Sequence, residues 1–224
     1  MRWASVSSLP QLRSLHHSQR LGGQMTEQCV LFDMDGTLYD SGIDFLAIRE
    51  RLGLPQDGRP ILEQLHQCAP LVRSRGISLL HAAEAEGAAN GQLIPGTTQL
   101  LAWLHERDIR CGLVTNNSRK SVDAVLSCHP LELDLVLTRD DAAAKPAPDL
   151  FLLALNKLDC SASDAVAVGD THLDALAAHS AGIREIYLVA LRDWMALLLP
   201  ADVEYKAATD LAEVRSGIEA WLKC

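Results

Sequence analysis

The 224-residue chain lacks any CxxC pair, although it holds six cysteines, Cys29, Cys68, Cys111, Cys128, Cys160 and Cys224. Thiols this far apart suit neither a zinc site nor a small disulfide-stapled secreted domain, so a reducing compartment is expected. Also missing is any apolar run near the ~20 residues that span a bilayer. Positive charge is scarce: 20 Lys and Arg stand against 29 Asp and Glu, a net charge of −9. That balance argues against nucleic acid or an anionic membrane as partner, because nothing offsets phosphate repulsion. Acidic residues are absent from the first 26 positions, which carry Arg2, Arg13 and Arg20 and several serines. Two readings fit: an organelle transit segment, or an upstream extension with Met25 as the true start. The second is preferred, giving residues 1–24 as an extension outside the fold and a cytoplasmic location, with organelle import as the alternative.

Apolar residues are plentiful at 48%, enough for one core domain and a small accessory one. From Cys29 onward, short continuous apolar runs alternate with helical patterns. Cys29–Phe32, Ile109–Thr115, Leu135–Leu137, Ala165–Val168 and Ile186–Val189 are unbroken, not alternating, as in parallel strands covered on both faces. Helices are expected over Thr97–Asp108, Ser118–Ser127, Pro146–Leu158, His172–Ser180 and Asp210–Leu222. This order predicts a doubly wound α/β core, a Rossmann-like parallel sheet. Between Leu38 and Leu93 the strand pattern stops, and Phe45–Leu52, Ile61–Cys68 and Leu79–Ala89 read as helices broken by Pro55, Pro60, Pro70 and Gly76. The expected division is a core of residues 25–40 and 94–224 around a helical cap of residues 41–93.

The chemistry concentrates at strand ends. Asp33-Met34-Asp35-Gly36-Thr37 closes the first strand, and side chains two apart on a strand share a face, so both carboxylates can enter one site. One can attack phosphorus while the other handles the proton of the leaving oxygen. Thr115-Asn116-Asn117 ends the second strand with a hydroxyl and exposed backbone N–H groups. Lys145-Pro146-Ala147-Pro148-Asp149 places one cation ahead of a helix N-terminus, itself favourable for anions. Gly169-Asp170-Thr171-His172-Leu173-Asp174 closes the fourth strand with two acids four apart. Alone, each of the last three has a plain explanation in turn chemistry, exposure or helix capping.

In this order, the four together resemble the haloacid dehalogenase superfamily, over nearly the whole span from Val30 to about Val189. The resemblance implies a Rossmann-like core with a small helical cap inserted after the first strand. It also implies a Mg²⁺-dependent phosphatase, with Asp33 as nucleophile and Asp35 as general acid and base. Thr115, Asn116 and Lys145 would hold the phosphoryl group of a small phosphorylated substrate. The metal set would be Asp33, Asp35 through its backbone carbonyl, Asp170, and Asp174 in support. Four acids and a phosphate dianion repel strongly, each like pair ~4 Å apart costing about 4 kcal/mol at an effective dielectric near 20, which calls for Mg²⁺ and Lys145 as counter-charges.

Within the superfamily, Asp35 argues against dehalogenation, where the leaving halide needs no proton. The first lysine is Lys120, beyond the insert, so Schiff-base chemistry from a cap lysine has no residue. A phosphosugar mutase shares these core motifs, and a non-catalytic binding protein is the alternative from another class. The cap resembles that of phosphoglycolate phosphatases. Arg49, Arg51, Arg59, Arg73 and Arg75 are its cations, and Arg73 or Arg75 is the expected contact to a distal anion of the substrate. His172 is read as a helix start, not a ligand.

Overall fold

The computed structural model describes residues 28–223. The reading of residues 1–24 as an extension or transit segment lies outside them. In chain order the elements are β1 (Cys29–Phe32), β2 (Tyr39–Asp40), α1 (Phe45–Leu52), α2 (Ile61–His66), α3 (Pro70–Asn90), β3 (Gln92–Leu93), α4 (Thr97–His105) and β4 (Arg110–Val114). There follow α5 (Arg119–Cys128), β5 (Leu135–Leu137), α6 (Asp149–Lys157), β6 (Ala165–Gly169), α7 (His172–Ser180), β7 (Glu185–Val189), α8 (Asp193–Ala196), β8 (Lys206–Ala208) and α9 (Leu211–Trp221).

Six strands form one sheet in the order β5-β4-β1-β6-β7-β8, every pair parallel. The doubly wound α/β architecture expected from the apolar runs is present. All four residues of β1 are fully buried because both faces of the sheet are covered. Alternation divides them: Val30 and Phe32 pack into one core with Leu104, Val122 and Val214, while Cys29 and Leu31 pack into the other with Leu150, Ala175 and Ile183. Since β1 lies between β4 and β6, with Phe32 in register with Leu113 and Val168, the three strands end side by side. Their next residues open onto the same rim.

The insert leaves and rejoins the core through the antiparallel pair β2–β3. Its helices α1, α2 and α3 bury a separate small core of Ile48, Leu54, Ile61, Leu65 and Leu80. Here two sequence expectations need correction. Pro70 and Gly76 do not break the third helix, which runs unbroken from Pro70 to Asn90. Pro70 takes the first helical position, where its missing N–H costs nothing. Gly76 faces α2, and a Cβ there would lie 2.2 Å from Leu65 Cδ2, so the glycine permits close helix packing. The edge strand β8 was not anticipated; it is three residues long and two of them are exposed. No helix among the described residues is long and apolar enough to cross a membrane.

Candidate active site

Asp33 follows the last residue of β1, and its N–H donates to Val168 O on β6 at 2.8 Å, continuing the ladder by one step. That bond holds the residue at the rim with its carboxylate beside the end of β6. Lys145 reaches the same place from the loop after β5. Its ammonium donates to Asp33 Oδ1 at 2.6 Å, to Val114 O at 2.8 Å and to Asp174 Oδ1. With only 2% of the residue exposed, this lysine is not the solvated cation that a lone Lys before a helix would usually be.

Lys145 is held by its neighbours at the backbone. The Asn116 side chain donates from Nδ2 to Lys145 O at 2.9 Å and accepts from Lys145 N at 2.8 Å through Oδ1. The Asn116 side chain thus brackets Lys145, and its backbone N–H is the group that can face a phosphate oxygen. Thr115 is buried, and its Oγ1 accepts from Asn117 N at 3.2 Å.

Asp35 stands in the tight loop after Asp33, which turns at Gly36 with φ +80°. The Asn117 amide donates to Asp35 Oδ2. Asp35 Oδ1 is buried with no hydrogen-bond partner among the described residues. Burial raises the Asp35 pKa, against the opposing pull of Ser41 and Asn117. A carboxyl group whose proton is favoured by burial suits the role of proton donor to a leaving group.

Asp170 and Asp174 follow β6. Carboxylate oxygens of Asp33, Asp170 and Asp174 all lie within 4.8 Å of one another. Asp174 is fully engaged: Oδ1 takes Lys145, and Oδ2 takes the Thr171 N–H at 3.1 Å and hydroxyl at 2.6 Å in a capping box that opens α7. Asp170 by contrast has no hydrogen bond or ion pair with a described residue. Its pKa is raised well above the usual range by burial and by the Asp174 and Asp33 carboxylates. A Cβ on Gly36 would lie 2.3 Å from Asp170 Oδ2, so only glycine lets this carboxylate press against the Asp35–Gly36 backbone.

The charge balance is uneven. Burial and the Asp174 carboxylate push Asp33 up to about 7 despite Lys145. Burial also works against charge on Lys145, but Asp174 and Asp33 overcome it and raise its pKa. Three carboxyl groups gathered around one ammonium make a pocket of hard oxygens. A divalent cation such as Mg²⁺ fits that donor set, and the Asp33, Asp170 and Asp174 carboxylates are the groups that could hold it.

The insert contributes an acid where a base was expected. Arg73 donates to His66 O at 2.6 Å and Cys68 O at 3.3 Å, joining α2 to α3, and Arg75 is exposed in a groove with Arg51 and Val72. Arg49 and Arg59 also make their hydrogen bonds within the insert. It is Glu84 of α3 that reaches the core, where Arg139 and Ser118 hold it. A cavity of about 670 Å³ has Asp40, Ser41, Asp44, Arg51 and Glu86 in its wall, and Asp33, Asp35, Asp170 and Asp174 are not among its lining residues. His172 begins α7 as expected, its Nε2 3.0 Å from Gly58 O of the insert.

Residues 27–182 match the family described as haloacid dehalogenase-like hydrolase. The chain belongs to that family. A haloacid dehalogenase-like hydrolase domain-containing protein of Arabidopsis thaliana is 30% identical over 159 residues, 66% of this chain and 64% of that protein, so the chain spans less than two thirds of it. A phosphoglycolate phosphatase of Cupriavidus necator is 31% identical over 180 residues, 69% of this chain and 77% of that one. Among solved structures, a hydrolase from Pseudomonas syringae superposes with a TM-score of 0.68 at 21% identity, covering 86% of this chain and 99% of its own. That likeness concerns the haloacid dehalogenase fold: a parallel sheet flanked by helices.

Proposed function

We propose that this hydrolase is a Mg²⁺-dependent phosphomonoester phosphatase that acts on a small phosphorylated metabolite through an aspartyl-phosphate on Asp33. The observation that carries the reading is the meeting of Asp33 with Lys145 at 2.6 Å, beside a second acid with an unshared buried oxygen. Similarity to phosphoglycolate phosphatases supports the substrate class.

Lys145 holds Asp33 in place and offsets negative charge as the phosphoryl group enters. Thr115 and the backbone N–H of Asn116 face its oxygens. Bound at Asp33, Asp170 and the Asp35 carbonyl, Mg²⁺ would supply charge neutralisation at the transferring phosphoryl group. The Asp33 carboxylate attacks phosphorus, the bond to the leaving oxygen breaks, and protonated Asp35 gives that oxygen its proton. The Asp35 carboxylate then takes a proton from water as the water attacks phosphorus. The Asp33–phosphorus link breaks, releasing phosphate and restoring both acids. Positioned proton transfer of this kind typically contributes about 10²–10⁴-fold.

Release of p-nitrophenol from p-nitrophenyl phosphate in Mg²⁺ is the direct test, followed by a panel of phosphorylated metabolites that includes 2-phosphoglycolate. Activity should vanish in EDTA and in Asp33→Asn. Full turnover by Asp33→Asn would overturn the nucleophile assignment, and isomerised sugar phosphate without free phosphate would identify a mutase instead.

A further inference from the structure

Arg139 lies in the loop after β5, two residues past Leu137, and does several things at once. Its Nη1 and Nη2 donate to Glu84 Oε1 at 2.5 Å and Oε2 at 3.1 Å, a two-pronged grip on a carboxylate from the insert. Nη1 also donates to Asn116 O at 2.8 Å, and the Arg139 backbone N–H donates to Asn117 O at 3.2 Å. Glu84 Oε2 further accepts from Ser118 Oγ at 3.1 Å. Glu84 is buried, its side chain 4% exposed, and Arg139 is largely covered at 10%.

These contacts join two parts of the molecule with different jobs. Glu84 sits on α3 of the insert, whereas Asn116 and Asn117 form the loop whose side chains bracket Lys145 and hold Asp35. Lifting α3 would separate two largely covered opposite charges, and each would have to find water or another partner. The two-pronged grip is made only at contact, and a separated pair keeps just the weaker charge attraction. One guanidinium therefore touches both the insert and the Asn116–Asn117 loop.

We propose that Arg139 is a positioning residue that makes the catalytic shape of the Asn116–Asn117 loop depend on seating of the insert, with Glu84 as the part of the insert it senses. Its effect on turnover rests on the phosphatase reading; the structural coupling does not. The Arg139 guanidinium itself is assigned no contact with substrate.

Amide hydrogen exchange on the full chain separates these. The Asn117 and Lys145 amides report on the loop, since their acceptors are Thr115 Oγ1 and Asn116 Oδ1. Glu84→Gln keeps the size of the side chain and removes its charge. It should raise exchange at both amides at least tenfold along with that of α3, although it lies on the far side of the contact. Arg139→Lys keeps a cation for Glu84 but loses the fork, and should do the same at the loop. In activity, each should lower kcat at least tenfold with a smaller change in KM. The double variant should be no slower than the worse single. Faster exchange confined to α3 in Glu84→Gln, or additive losses of kcat, would overturn the proposal. If the wild type releases no phosphate from any ester, the phosphatase reading fails while the exchange result still decides the coupling.

Discussion

Lys145 holds Asp33 with one N–H and Asp174 with another, so the ammonium is shared between the end of β1 and the first turn of α7. Removing that charge leaves two buried carboxylates facing each other and Asp170. Lys145→Met should therefore cost about 3–5 kcal/mol of stability, the usual penalty for breaking a buried pair on one side. Urea unfolding in EDTA measures it. A loss below about 1 kcal/mol would mean that the lysine is not the pair's main counter-charge.

Asp170 makes no ion pair with a described residue, and burial with the Asp174 and Asp33 carboxylates disfavours its ionised form. Asp170→Asn should raise the melting temperature in EDTA, because a neutral amide escapes the cost of holding a carboxyl group in that crowded place. The same change should erase the stabilisation that Mg²⁺ gives the wild type, about 4 kcal/mol at 1,000 times Kd. Thermal melts with and without Mg²⁺ test both halves. Equal Mg²⁺ shifts in the two proteins would remove Asp170 from the metal set.

Gly36 combines a positive φ with a close approach to Asp170. Gly36→Ala strains the backbone by about 1–2 kcal/mol and pushes Asp170 from its place. The fold should survive, whereas kcat should drop about 10²-fold, as misplacement by an ångström commonly does. Circular dichroism beside phosphate-release kinetics checks the separation, and wild-type kcat would show that the approach is dispensable.

Thiol reactivity should follow burial. Cys29 and Cys160 have their sulfurs 2.9 Å apart in the core; hydrogen bonding to Cys160, together with burial, pushes the Cys29 thiol far up. Burial raises the Cys111 thiol as well. A raised pKa means less thiolate at pH 8, so iodoacetamide should modify exposed Cys128 well before Cys29 or Cys111. Peptide mass spectrometry of the folded protein gives the order. Early loss of Cys29 would contradict the packing of β1.

Legibility varied with the distance over which residues act. That Asp33, Asp35 and Asp170 would come together was readable because each follows an apolar strand, and a parallel sheet brings such ends to one rim. The role of Asn116 was harder, since a turn amide can face a ligand or a neighbouring backbone with equal ease. Glu84 and Arg139 were invisible: 55 positions apart, each is a residue type that usually faces water. Pro70 and Gly76 misled because both residues weaken helices in general, yet one sits at a first turn and the other against Leu65. A three-residue edge strand such as β8 carries too little apolar pattern to be seen.

The parallel sheet also gives the molecule a working end and an idle end. All its strands enter from one rim, and β1 and β6 deliver their acids at the other. At the entry rim the chain turns through Asp159 to exposed Ser163 with none of the reacting groups in reach. A dye, linker or surface tether attached there would ride on the back of the molecule, leaving the mouth of the site and the insert unobstructed.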